Sequence, residues 1–304
     1  MYDNFNIGLK SPILNLKIHT NNVLSLTIMN DGRLVSGARD YLIVIYNKKT
    51  YQPDLIIKEH QKAVLCICQL SSGELVSCSE DKTINIFIIT GKKYEIIQTL
   101  KYHIGSVYKI IELKNKSLSS CSGDASIIFY CKDKSKFNMD YKVSTDGTCS
   151  SIIQTKDNEI CYSQSGNQKI CFFDLLERKI ISSISNISKR NYTDEWLILI
   201  TKDLLSVPGE DQISIINVNQ YKLVRIINVS NSDWIFGSCM LNEKMLLTGE
   251  RHKAIRQWKI DEEESNLILI SKKDNAHYGD INFLLNLGNG HIASGSDGGT
   301  IKIW

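Results

Sequence analysis

The chain has 304 residues, 42% of them hydrophobic, which is ample for a packed core, and its 36 basic and 33 acidic side chains leave a net charge of +3. Such a balance gives no surface of the kind that releases counterions from nucleic acid, so no nucleic-acid partner is expected. No apolar run approaches the roughly 18 residues of a membrane-spanning helix, and the opening "MYDNFNIGLK" has neither a basic leader nor an apolar stretch. The expectation is therefore no membrane association and a cytoplasmic location, with the nucleus as the alternative.

Along the chain, Leu14, Leu16 and Ile18 alternate with Asn15 and Lys17, the period of a strand with one buried face. A pattern of strand, small polar turn and second strand closing on an aromatic then recurs. The clear copies are "LVSGARDYLIVIY" ending at Tyr46, "LVSCSEDKTINIF" at Phe87, "SLSSCSGDASIIFY" at Tyr130 and "IASGSDGGTIKIW" at Trp304. Weaker copies are "ICYSQSGNQKICFF" at Phe173, "LLSVPGEDQISIIN" at Asn217 and "LLTGERHKAIRQW" at Trp258. Successive copies close 41 to 46 residues apart, the length of four short strands and their turns. A second fixed distance runs backward: His19, His60, His103 and His277 each stand 27 residues before the closing Tyr46, Phe87, Tyr130 and Trp304. Three prolines and no Gly/Ser tract give no linker, so residues 1–304 read as one domain. The nine scattered cysteines, most among apolar strand residues, read as reduced buried thiols and not as a disulfide framework.

These residues resemble the WD40-repeat family over essentially the whole chain. The resemblance implies an all-β fold, a seven-bladed β-propeller of four-stranded antiparallel blades. In that family the outer strand of a blade comes from the segment after the closing aromatic; none follows Trp304 in this sequence, so residues 10–18 are expected to complete the last blade and close the ring. The resemblance also implies a buried polar network in each blade, here His19, Ser36, Asp40; His60, Ser77, Asp81; and His103, Ser120, Asp124. With Tyr46, Phe87 and Tyr130 in the place of tryptophan, these networks are expected to have three members at most. The last blade keeps His277, Ser294 and Trp304 but has Gly298 at the Asp position. Blades four to six depart further, with Asp146 for the histidine and Asn167 and His252 for the turn aspartate.

Four of the six histidines thus have structural places, and Cys66 and Cys68 lack the partners of a zinc site, so no metal is expected. No nucleophile elbow, phosphate-binding glycine loop or dinucleotide fingerprint is present, which points to a protein that is not an enzyme and needs no cofactor. In WD40 propellers the partner often binds over the central channel. Carried over position by position, that face comprises Asn22, Leu24 and Arg39; Ala63, Leu65 and Glu80; Ser106, Tyr108 and Gly123; Cys149, Ser151 and Gly166; Trp196, Ile198 and Glu210; Trp234, Phe236 and Arg251; and Asp280, Asn282 and Asp297. Trp196, Trp234, Phe236 and Arg251 fall on two adjacent blades and are residue types that dominate interface energies. A one-residue shift in those blades would instead send Trp196 and Trp234 into the core, and both readings stand at this point. The expected function is a non-catalytic scaffold that binds a protein or peptide, as a monomer within a larger complex. The alternatives are a substrate-recognition subunit of a ubiquitin ligase or another assembly, and an enzyme that uses the channel as its pocket, with Glu80, Glu210, Asp280 and Asp297 as its available acids.

Overall fold

Short runs rich in Ile, Val and aromatic residues, cut every few positions by Gly, Asn, Asp or Lys, favour strands joined by tight turns. The computed structural model describes residues 11–165, 168–187, 197–229, 234–288 and 290–304, and these form seven four-stranded antiparallel sheets with no helix among the described residues. Six sheets take their strands in chain order; the first, for example, runs Val23–Ile28, Leu34–Ala38, Ile43–Tyr46, Pro53–Ile57. The innermost strands of blades one to four abut in turn, as do those of six and seven, and Val23–Ile28 of the first packs on Ile281–Gly288 of the seventh, closing a seven-bladed propeller.

The seventh sheet breaks chain order. After Ile281–Gly288, His291–Ser296 and Thr300–Ile303, its fourth strand is Leu14–Lys17, paired in the register Leu14 to Ile303 and Lys17 to Thr300. The expected closure by an N-terminal strand is what the sheet shows, over a shorter stretch than residues 10–18; residue 10 lies outside the described residues. Leu16, only 8% exposed, packs with Val23, Tyr46, Ala293, Ile301 and Ile303, while its neighbours Asn15 and Lys17 face out. Gly299 lets the seventh blade approach the chain entering the first. Its φ is +74°, and a Cβ there would lie 2.1 Å from the His19 carbonyl oxygen, so no other residue fits.

The apolar core is divided among the blade interfaces. Seven clusters of buried side chains occur among the described residues, each drawn from two neighbouring blades. A blade is therefore buried on both faces, which is why second strands such as Leu34–Ala38, Leu75–Ser79 and Leu118–Ser122 are buried at every position. Nine free cysteines occur, seven of them buried.

One repeat boundary moves. In blades one to four and six a β-bulge on the third strand falls just before the closing aromatic, as at Ile45/Tyr46 and Gln257/Trp258. In blade five it falls between Ile215 and Ile216. Ile216, fully buried, closes that blade, and Asn217 begins the next turn by accepting the N–H groups of Asn219 and Gln220. The absence of an aromatic at this site displaced the sequence alignment by one residue.

Candidate functional site

The first link from sequence to site is a network that fixes the loops over the channel. In blade one, Asp40 accepts from His19 Nδ1 at 3.0 Å and from the Thr20 and Leu42 N–H groups at 2.9 and 3.2 Å. The other ring nitrogen, Nε2, accepts from Ser36 Oγ at 2.6 Å, and Ser36 accepts from the Tyr46 hydroxyl at 3.1 Å. Blade three repeats this with Asp124, His103, Ser120 and Tyr130 at 3.0, 2.8 and 2.9 Å. The networks of these two blades have four members, not three, because the phenol hydroxyl reaches the serine just as the indole N–H of Trp304 reaches Ser294, at 2.8 Å. Blade two, with Phe87, stops at three: Asp81 to His60 at 2.8 Å and His60 to Ser77 at 2.7 Å.

Blade seven solves the missing aspartate differently. His277 Nδ1 donates to Thr300 Oγ1 at 3.1 Å and Nε2 accepts from Ser294 at 2.6 Å. With no carboxylate beside it, burial and the nearby Lys302 charge push its pKa down to about 3, so the ring is neutral. Asp124 shows the converse. Burial opposes its ionisation, but hydrogen bonds from Ser126, the Ile104 N–H and His103 outweigh that and hold it down at about 2. Blade six keeps the last link, Trp258 Nε1 to Thr248 Oγ1 at 2.9 Å, beside a buried Glu250–Arg256 ion pair at 2.5 Å that no sequence motif announced. His252 is exposed, and Asn167 lies outside the described residues.

Each network sits under a backbone clamp. The N–H of Arg39, Glu80, Gly123, Arg251 and Asp297 donates to the carbonyl of Asn22, Ala63, Ser106, Trp234 and Asp280 respectively, at 2.8 to 3.0 Å. Next to the clamp, the innermost strand of six blades carries a β-bulge, which inserts one extra residue into the register and re-aims its side chain. The six bulged residues are Leu24, Leu65, Tyr108, Ser150, Phe236 and Asn282. All six line a single cavity of about 410 Å³ at the mouth of the channel, together with Asn22, Arg39, Glu80, Asp280 and Asp297.

Of the positions expected from sequence, all three in blades one and seven line this cavity, with Leu65 and Glu80 from blade two, Tyr108 from blade three and Phe236 from blade six. Blade four differs by one residue: Ser150 lines the cavity, whereas Ser151 is buried and accepts the Leu197 N–H at 3.2 Å. The clamp there is likewise Ser165 to Thr148 at 2.9 Å, Cys149 is buried, and Gly166 lies outside the described residues. The cause is a longer turn: Ser36 and Tyr46 are ten residues apart, but Tyr162 and Phe173, which occupy the same register, are eleven. Counting a fixed distance back from the aromatic therefore stops one residue short in this blade.

Of the remaining candidates, Ala63 and Glu210 are buried, the latter in a backbone bridge with Trp234. Ser106, Gly123 and Ile198 are half-buried and do not line the cavity. Trp234 is half-buried, stacked on Phe236 with ring centroids 6.1 Å apart and an interplanar angle of 29°, so it stands behind the cavity wall. Trp196 lies outside the described residues. Arg251 stands at the rim with Nε 3.9 Å from Asp280, and Arg39 stands 3.8 Å from Glu80. Two larger cavities, around Arg33 and Lys92 and around Lys62 and Thr83, draw on no more than two blades each. Among the described residues no group of three His, Cys, Asp or Glu side chains is placed to hold a metal ion.

The family model described as WD domain, G-beta repeat matches residues 10–47, 51–87 and 271–304, the first, second and seventh blades. The chain carries WD40 repeats in these three blades of its seven-bladed propeller. An uncharacterized WD repeat-containing protein of Schizosaccharomyces pombe is 34% identical over 84 residues, which is 27% of this chain and only 16% of that relative's length. Among solved structures, the WD40 repeats of RRP9 superimpose with a TM-score of 0.83 and U3-55K with 0.82. Both are 15% identical over 97% of this chain, covering 97% and 98% of theirs, a likeness of fold alone. The three matched repeats of this propeller include two of the complete His–Ser–Asp sets; blade three, whose set is also complete, and blades four to six fall outside the match.

Proposed function

We propose that this propeller is a non-catalytic interaction scaffold that binds a peptide or an extended protein segment at the mouth of its central channel. The observation that carries the reading is that six blades each turn one bulged side chain into the same cavity, among them the aromatic residues Tyr108 and Phe236. The rigid clamps beneath supply a preorganised surface, so that little ordering cost opposes binding. Cavity size supports a segment over a folded domain: about 410 Å³ takes one or two side chains, with flanking residues running over the rim past Arg39 and Arg251.

Affinity capture from a lysate, followed by mass spectrometry, compares the natural chain with Phe236→Ser, Tyr108→Ala and Arg251→Glu, each checked for an unchanged melting temperature. The expected outcome is loss of a common set of partners in all three variants. An unchanged set with intact folds would move the binding surface elsewhere.

A further inference from the structure

We infer that the cavity at the channel mouth selects a basic side chain, arginine before lysine, presented by the bound peptide; the inference deepens the proposed function and rests on it. Four charged residues line the cavity, and three are acidic: Glu80, Asp280 and Asp297 against Arg39. Arg39 is already paired with Glu80, and Arg251 with Asp280, but at 3.8 and 3.9 Å these are looser than hydrogen bonds. Both guanidinium groups are more than half exposed at the rim, 53% and 55%, where such pairs contribute little and yield readily to a competing partner.

The acids deeper in the cavity are differently placed. The Asp280 side chain is only 29% exposed, with Arg251 Nε 3.9 Å away. The Asp297 carboxylate is fixed by Asn282 Nδ2 at 2.9 Å, and the Asp297 N–H donates to the Asp280 carbonyl, so the two acids share one corner. Burial, and then the charge of Asp297, raise the pKa of Asp280 against the opposing charges of Arg251, His252 and Lys253. A guest guanidinium offers this corner forked N–H donors for two carboxylates together with a positive charge in closer contact than the 3.9 Å of Arg251. Its flat faces also suit the walls, since Phe236, backed by Trp234, and Tyr108 offer aromatic surfaces to a stacked cation. An ammonium gains the charge term and a single point of contact, which places lysine second.

The experiment uses the full chain and fluorescein-labelled seven-residue peptide libraries with randomised flanks and Arg, Lys, citrulline, Glu or phosphoserine at the centre, read by fluorescence anisotropy. Citrulline keeps the shape of arginine without its charge. The arginine library is expected to bind at least about tenfold more tightly than the citrulline library, the size of a charge-assisted contact. That preference is expected to vanish in Asp280→Asn/Asp297→Asn and to persist in Glu95→Gln, an exposed acid of an outer strand. Equal binding of arginine and citrulline, or a preference for Glu or phosphoserine, overturns the inference. If those libraries bind equally and Phe236→Ser abolishes all of them, the channel-mouth reading stands while the charge selection falls. If no library binds, or if binding ignores both the double variant and Phe236→Ser, both fall.

Discussion

The polar networks allow a quantitative comparison within one molecule. Ser120 is fully buried and serves two groups, donating to His103 Nε2 and accepting from the Tyr130 hydroxyl. Ser77 occupies the same place in blade two but serves one, because Phe87 brings no hydroxyl. Truncation to alanine leaves each former partner buried without a bond, at about 1–3 kcal/mol per group. Ser77→Ala is thus expected to cost about 1–3 kcal/mol and Ser120→Ala about twice that. Tyr130→Phe, made on top of Ser120→Ala, removes one of the two orphans and should return the cost to roughly the Ser77→Ala level, a strongly non-additive cycle. Urea unfolding, read as midpoint shifts at constant m-value, measures all four variants. The reasoning is refuted if Ser120→Ala destabilises no more than Ser77→Ala, or if the double variant is the sum of its singles.

Acid should destabilise the fold in two stages. The His277 pKa is lowered to about 3, so the unfolded state binds more protons below about pH 6.5; stability, full at neutral pH, falls by up to about 1.4 kcal/mol per unit as pH drops from there towards 3. Below about pH 4 the depressed carboxyl of Asp124 adds to the loss as it titrates towards 2. Urea midpoints against pH should show both stages, and His277→Gln should flatten the first. Gly299→Ala forces a Cβ against the His19 carbonyl at a φ of +74° and is expected to lower the melting temperature by several degrees, whereas Gly91→Ala, with a comparable φ and open space, costs less. Removing residues 1–18, or Leu16→Asp alone, uncovers the Thr300–Ile303 edge; size-exclusion chromatography should show association or aggregation, and an equally stable monomer would contradict the closure.

Fold and site were legible to different depths. Seven closures and the 27-residue interval from histidine to aromatic are direct imprints of blade geometry, because strand lengths and turn chemistry fix them. The bulged positions were reached by counting, and the count held wherever the second turn kept its length; one inserted residue in blade four moved Ser150 into the place assigned to Ser151. The fourth network member was hidden by treating tyrosine as a departure from tryptophan, when what matters is a polar hydrogen at the far end of a flat ring. The Glu250–Arg256 pair in blade six could not be read at all. Two charges six residues apart on facing strands look like solvated residues until both faces of the blade are known to be covered.

The pairing of Leu14–Lys17 with Thr300–Ile303 also has a timetable. Its two halves are about 290 residues apart, so a ribosome adding roughly 5–20 residues per second leaves the first strand without its partner for about 15 to 60 s. Blades built from consecutive strands can form as they emerge, but the opening strand must wait for nearly all of them. For that interval the apolar Leu14 and Leu16 are available to any passing edge, which makes vectorial synthesis, more than the finished ring, the stage at which this protein is most exposed to misassembly.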